Sequence, residues 1–263
     1  MIDEDTIESA KSWCDLGAQW ISKKAHSTGI QYIERAIAVF EEAGDLRWLT
    51  YSRHQHLNAL KALHRDEEVE SFSEDVLQGY LRLDDSYGKA LVLSHVAESM
   101  VRLGRWERAM ARLNLAEAVA RSGQFNILHA YICSQRARMY LVRDNVLQAS
   151  RQFRAAEAVL QSDGNLDEAS RNRLAAAEAL VRLGERSEAI ALLEDVQNHL
   201  FRRNRYREAL QSLTLLSRLY EEVKMWDDKN RVGELIHFCG QYILQGATEE
   251  IPSDGPKISR NGL

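Results

Sequence analysis

The chain has 263 residues, 45% hydrophobic and 28% charged, with 34 Lys and Arg against 39 Asp and Glu and a net charge of −5. That balance belongs to an ordinary globular protein, long enough for one large domain or two small ones. It excludes a general binder of nucleic acid or anionic membrane, which needs a basic face. No stretch approaches the ~20 apolar residues of a membrane span. The opening MIDEDTIESAK is acidic where a secretory leader would be basic and then apolar. Cys14, Cys133 and Cys239 are far apart and lack CxxC spacing, which is the pattern of reduced thiols in a cytoplasmic protein.

Both prolines, Pro252 and Pro256, fall near the end of the chain, so everything before them is free to be helical. Taken in order, the expected elements are paired helices of roughly 16–19 residues, an interval set by apolar residues spaced three and four apart. The first unit, 5–44, carries Trp13, Leu16, Gly17 and Trp20, and closes at Gly44-Asp45. Unit two, 45–84, places Leu57 and Val69 where its neighbours have small residues, so its helices should pack further apart. Unit three, 85–124, has the stripe Leu93, Val96, Ala97, Met100, then a turn at Leu103-Gly104-Arg105, then Leu113 and Ala116. Gly104, and Gly184 in unit five, suit a left-handed helix cap.

Unit four, 125–164, contains Ala137, Tyr140, Ala149, Phe153 and Ala156. Unit five, 165–204, opens on Asn165 with Glu168 three residues later, the spacing of a capping box. Unit six, 205–244, has Lys229 and Gly233 at columns that are apolar or small elsewhere, as a solubilising terminal cap requires. Residues 1–246 thus read as a single all-α domain of six two-helix repeats, about twelve helices. Residues 247–263 read as a disordered tail.

The period is 40. Ala109, Ala149 and Ala189 form one column; Gly17, Leu57, Ala97, Ala137, Ala177 and Ser217 form a second. Trp20, Leu60, Met100, Tyr140, Leu180 and Tyr220 form a third, large and apolar or aromatic. Several columns in one register mark a repeat architecture. Trp106 and Trp226 share a column at the start of the second helix and read as core or staple residues.

These columns resemble the tetratricopeptide repeat (TPR), with its W-x2-L-G-x2-Y opening and later small and aromatic positions. The period is 40 instead of 34 and the closing proline is missing, as in the longer-repeat members such as kinesin light chain and the Rap-type regulators. The resemblance implies a right-handed α-solenoid whose first helices line a concave groove that binds peptides.

No catalytic motif is present: GxSxG, HExxH, GxxxxGK[ST] and GxGxxG are all absent. His54 and His56 point to different faces of a helix, so no metal site or cofactor is expected from them, and Cys133 reads as a structural thiol. The basic run at 202–207, RRNRYR, reads as a solvated turn, with a local anionic contact as the alternative. Groove-facing columns, counted from the small column, give the candidate partner-binding residues Tyr51, His54, Asn58, Glu98, Tyr131, Arg138, Arg171, Glu178, Gln211 and Arg218.

Within them Glu98, Arg138, Glu178 and Arg218 alternate in sign. Two readings stand side by side: Glu98–Arg138 and Glu178–Arg218 bridge neighbouring helices, or the arginines grip a peptide. A chaperone-type carboxylate clamp is excluded, because His54 occupies the lysine position before Asn58. The expected function is a non-enzymatic scaffold binding a peptide or helix of mixed charge. The alternative is a regulatory sensor whose superhelix changes pitch on binding a small peptide. Self-association through an end repeat remains open.

Overall fold

The computed structural model describes residues 3–244; the expected tail lies outside the described residues. Twelve α-helices and no strand occupy the described residues: α1 (Glu4–Ser22), α2 (His26–Ala43), α3 (Leu46–Ala62), α4 (Asp66–Arg82), α5 (Ser86–Arg102), α6 (Trp106–Ser122), α7 (Asn126–Val142), α8 (Val146–Ser162), α9 (Leu166–Leu183), α10 (Arg186–Arg202), α11 (Tyr206–Glu222) and α12 (Trp226–Leu244). The fold is an all-α solenoid of two-helix repeats in the register the columns set. Backbone contacts group the chain into two compact units that meet at Gln135 and Arg136, inside α7.

A left-handed residue closes each turn. Positive φ recurs at intervals of 20 from Lys24 to Lys224, with glycine at Gly44, Gly104, Gly164 and Gly184 and other residues elsewhere. The following residue returns its N–H to the last turn, as Arg105 N–H does to the Met100 carbonyl at 2.8 Å. Helix starts are capped by Asp3, Asp45 and Asp85, whose carboxylates accept the N–H three residues on. Asn165 accepts from Glu168 N–H at 3.4 Å, but Glu168 pairs with Arg171 instead of turning back, so the capping box is half made.

The small columns are the helix crossings. Gly17 and Gly29 face each other so closely that a Cβ on either would stand 2.8 Å from the other's carbonyl oxygen. Leu57, Ala97, Ala137 and Ala177 are fully enclosed, and so are Val69, Ala109, Ala149 and Ala189. Two tryptophans stand open to solvent, although Leu60, Met100, Leu180 and Tyr220 of the Trp20 column are buried. Trp20 is 39% exposed and Trp226 53%, each beneath a lysine, Lys23 and Lys229. Trp226 is therefore no core residue among the described residues. Lys229 pairs with Glu221 at 3.0 Å, and open space surrounds Gly233.

Candidate functional site

In the first unit the helices α1, α3 and α5 touch in series, which places their equivalent residues side by side. At one end of this face an open cleft of about 820 Å³ is lined by Trp48 and Tyr51 of α3, Tyr80 of α4, Tyr87 of α5 and Phe125 just before α7. Arg47, Asp84 and Asp85 add charge at its lining. Trp48 meets Tyr51 edge-on at 5.6 Å, and Tyr87 meets Phe125 edge-on at 5.3 Å. These are the separations at which aromatic pairs attract through their quadrupoles. Tyr51 and Tyr87 remain partly open to solvent.

Two glycines make room for the aromatics. A Cβ on Gly88 would lie 2.2 Å from Cε1 of Tyr80, and one on Gly123 would lie 2.4 Å from Cε2 of Phe125. Asp85 holds the start of α5 by accepting the Gly88 N–H at 2.8 Å, so the same short segment supplies a cap, a seat and a carboxylate.

Behind the cleft runs a polar strip. His54 Nδ1 and the Tyr80 hydroxyl share a hydrogen bond of 2.7 Å, and the His54 ring stands 5.6 Å from that of His95. His95 in turn meets Tyr131 edge-on at 6.1 Å, and Gln135 Nε2 donates to the Tyr131 hydroxyl at 2.6 Å. Burial, with Lys61 nearby, holds the His54 imidazole down at about 4, and the same two causes push His95 well below the usual histidine range. Nε2 of His54, Nδ1 of His95 and Oδ1 of Asn58 are buried without a protein hydrogen-bond partner.

The predicted residues divide accordingly. Tyr51 lies in the cleft, and Asn58 and Tyr131 are half-buried along the strip. His54 is corrected: at 4% exposure it is a core residue and presents no surface to a partner. It shares its helix face with the enclosed Leu57 three residues on, and Cys14, Ser94 and Ser134 of the same column are buried for the same reason. The residues that column counting missed are Trp48, Tyr80, Tyr87, His95 and Phe125. Of these, Tyr80 and Phe125 come from a second helix and a turn, where a first-helix column could not point.

Glu98 joins an ionic chain rather than standing free. Lys61 Nζ donates to it at 3.0 Å, Arg102 at 3.2 Å, and Arg102 continues to Asp66 with contacts of 2.7 and 2.9 Å. This ties α3, α4 and α5 together. Lys61 stands one helical turn beyond Asn58, so the pairing is staggered relative to the column.

In the second unit Arg171, Glu178, Gln211 and Arg218 are all exposed, as is Arg138. The Glu178–Arg218 bridge does not form: Glu178 accepts from Gln211 at 2.8 Å, and Arg218 turns to Glu222 on its own helix at 3.2 Å. Arg171 pairs with Glu168 and, at 3.8 Å, Glu208. The basic run is part neutralised, since Arg205 reaches Asp167 at 3.2 Å and Glu208, and Tyr206 is buried among Phe201, Phe238 and Tyr242. No helix among the described residues is long and apolar enough to cross a membrane.

No family model matches the sequence, and no curated protein matches it. Solved structures do. One is a Signal Transduction ATPase with Numerous Domains (STAND) protein with a tetratricopeptide repeat sensor from Pyrococcus horikoshii, at TM-score 0.76 and 13% identity over 94% of this chain. This chain spans 38% of that protein. A second is a putative kinesin light chain from Podospora anserina with nearly identical TPR-like repeats, at TM-score 0.63 and 16% identity, covering 78% of this chain and all of that one. A third is a Rap protein complexed with Competence and Sporulation Factor, at TM-score 0.62 and 14% identity, covering 92% and 67%. At such identities the likeness is one of fold.

Proposed function

We propose that this chain, a helical-repeat protein of TPR type, is a non-enzymatic scaffold that binds a peptide or helix of a partner protein. The observation that carries the reading is the aromatic cleft on the first unit. Five aromatic side chains around about 820 Å³ offer a large apolar contact at small entropic cost, with Asp84, Asp85 and Arg47 able to fix the orientation of a ligand bearing both signs. The exposed residues Arg171, Glu178, Gln211 and Arg218 of α9 and α11, with Arg138 of α7, offer mixed charge of the same kind. A cytoplasmic setting, with neither nucleic acid nor membrane as partner, belongs to the same proposal.

The test is capture of partners from the source lysate on immobilised protein, comparing the wild type with Tyr51→Ala/Tyr87→Ala. Both tyrosines are partly exposed, so the variant should keep its fold. Polypeptides held by the wild type and lost by the variant support the reading; a retained set that does not change overturns it.

The sensor alternative draws support from the STAND protein, whose TPR part is described as a sensor. Small-angle neutron scattering with a captured partner contrast-matched out separates the two, since only a sensor changes this chain's own radius.

A further inference from the structure

We propose that Glu117, His129 and Cys133 form a binding site for a borderline-soft divalent cation of the zinc class, joining α6 to α7. One ligand atom from each residue lies within 4.8 Å of the others, and all three side chains belong to the first unit. His129 and Cys133 are four residues apart on α7 and therefore share a face; Glu117 reaches them from α6. Carboxylate oxygen, imidazole nitrogen and thiol sulfur together are a donor set suited to zinc or cobalt rather than to magnesium or calcium.

The electrostatics of the cluster point the same way. His129 Nε2 accepts a hydrogen bond from Arg121 Nε at 3.2 Å, so its lone pair is engaged by the guanidinium. Glu117 Oε1 lies 3.3 Å from that nitrogen and is itself bound by Arg121 at 2.7 Å. The Arg121 cation thus contacts both of these atoms. The separation of 3.3 Å is also what two ligands about 2.0 Å from a tetrahedral centre would have.

The Arg121 guanidinium, 65% exposed, is a placeholder that can swing into solvent. When the metal enters, the Cys133 thiol gives its proton to solvent as the sulfur–metal bond forms, and water takes the fourth position. The glutamate and histidine are only about 15% exposed, so the ion would be largely shielded.

Titration of the full chain with Co2+, followed by displacement with Zn2+, tests this. The expected result is one equivalent bound, with a thiolate-to-cobalt charge-transfer band in the near ultraviolet. Cys133→Ser should abolish that band, and His129→Gln should weaken binding at least tenfold. Arg121→Ala should bind more tightly than the wild type, an outcome that misfolding cannot mimic. No band at stoichiometric Co2+, or a band that survives Cys133→Ser, overturns the site. Equal or weaker binding by Arg121→Ala overturns the placeholder role on which the geometry rests.

Discussion

His54 Nδ1 and the Tyr80 hydroxyl stand 2.7 Å apart, joining an enclosed imidazole on α3 to a side chain that lines the aromatic cleft. The bond makes the cleft sensitive to acid, because a proton on His54 must be accommodated where burial and Lys61 already oppose it.

The sign follows from the depressed value. The unfolded imidazole titrates near 6.5 and the folded one at about 4, so between these pH values the unfolded chain binds more protons. His54 contributes its full stability above pH 6.5 and loses it as the pH falls to 4, a total of about 3 kcal/mol. His95 acts in the same direction. Urea unfolding at several pH values should show this loss in the wild type and a visibly shallower one in His54→Gln. Parallel pH profiles would refute the role of His54.

Gly88→Ala should destabilise although alanine is the better helix former. The added Cβ would meet Cε1 and Cδ1 of Tyr80 at 2.2 and 2.4 Å, in the body of an enclosed ring. Displacing that ring strains the bond to His54, and overpacking of this kind costs about 1–3 kcal/mol. Gly123→Ala presses on Phe125, a less buried ring before the start of α7, and should cost less. Thermal unfolding of the two variants side by side decides the ranking; a neutral Gly88→Ala would mean that Tyr80 has another seat.

The repeat was legible in the sequence because helix crossings demand small residues, and Gly17, Ala97, Ala137 and Ala177 keep that demand in register. The candidate site was legible only in part. Tyr51 and Asn58 follow from first-helix counting, whereas Tyr80 belongs to a second helix and Phe125 to a turn, and no single-helix period joins them to α3. His54 was misplaced because three residues before a buried position is the same helix face, not an adjacent one. His129 and Cys133 stand in view at a spacing of four, but Glu117 comes from another helix, so the triad exists only once α6 and α7 are paired.

Arg102→Ala should be among the costlier polar substitutions. Asp66 is 6% exposed and takes its hydrogen bonds from Arg102 Nε and Nη2, which also hold its carboxyl below the usual carboxylate range. Removing the guanidinium leaves a buried carboxylate with the Ser99 hydroxyl but without its arginine, at a cost of about 1–3 kcal/mol. A double-mutant cycle with Asp66→Ala should return a clear coupling energy in urea unfolding. Additive effects would show that Arg102 acts through Glu98 and Ser99 instead.

Gln124→Gly should stabilise the protein without touching a side-chain contact of the core. Gln124 closes the α6–α7 turn at φ +55, the left-handed region that its Cβ disfavours. The same turn position is glycine at Gly44, Gly104, Gly164 and Gly184. Leaving the left-handed penalty behind gains about 1–2 kcal/mol, and the greater freedom of glycine in the unfolded chain returns about 0.5–1 kcal/mol of it. A net gain of about 0.5–1 kcal/mol should appear as a higher urea midpoint at unchanged slope. Asn204→Gly, at φ +57, should gain less, because asparagine tolerates this region through its own local hydrogen bonding. If both variants gain equally, the penalty does not depend on the side chain and the turns are held by their backbone bonds alone.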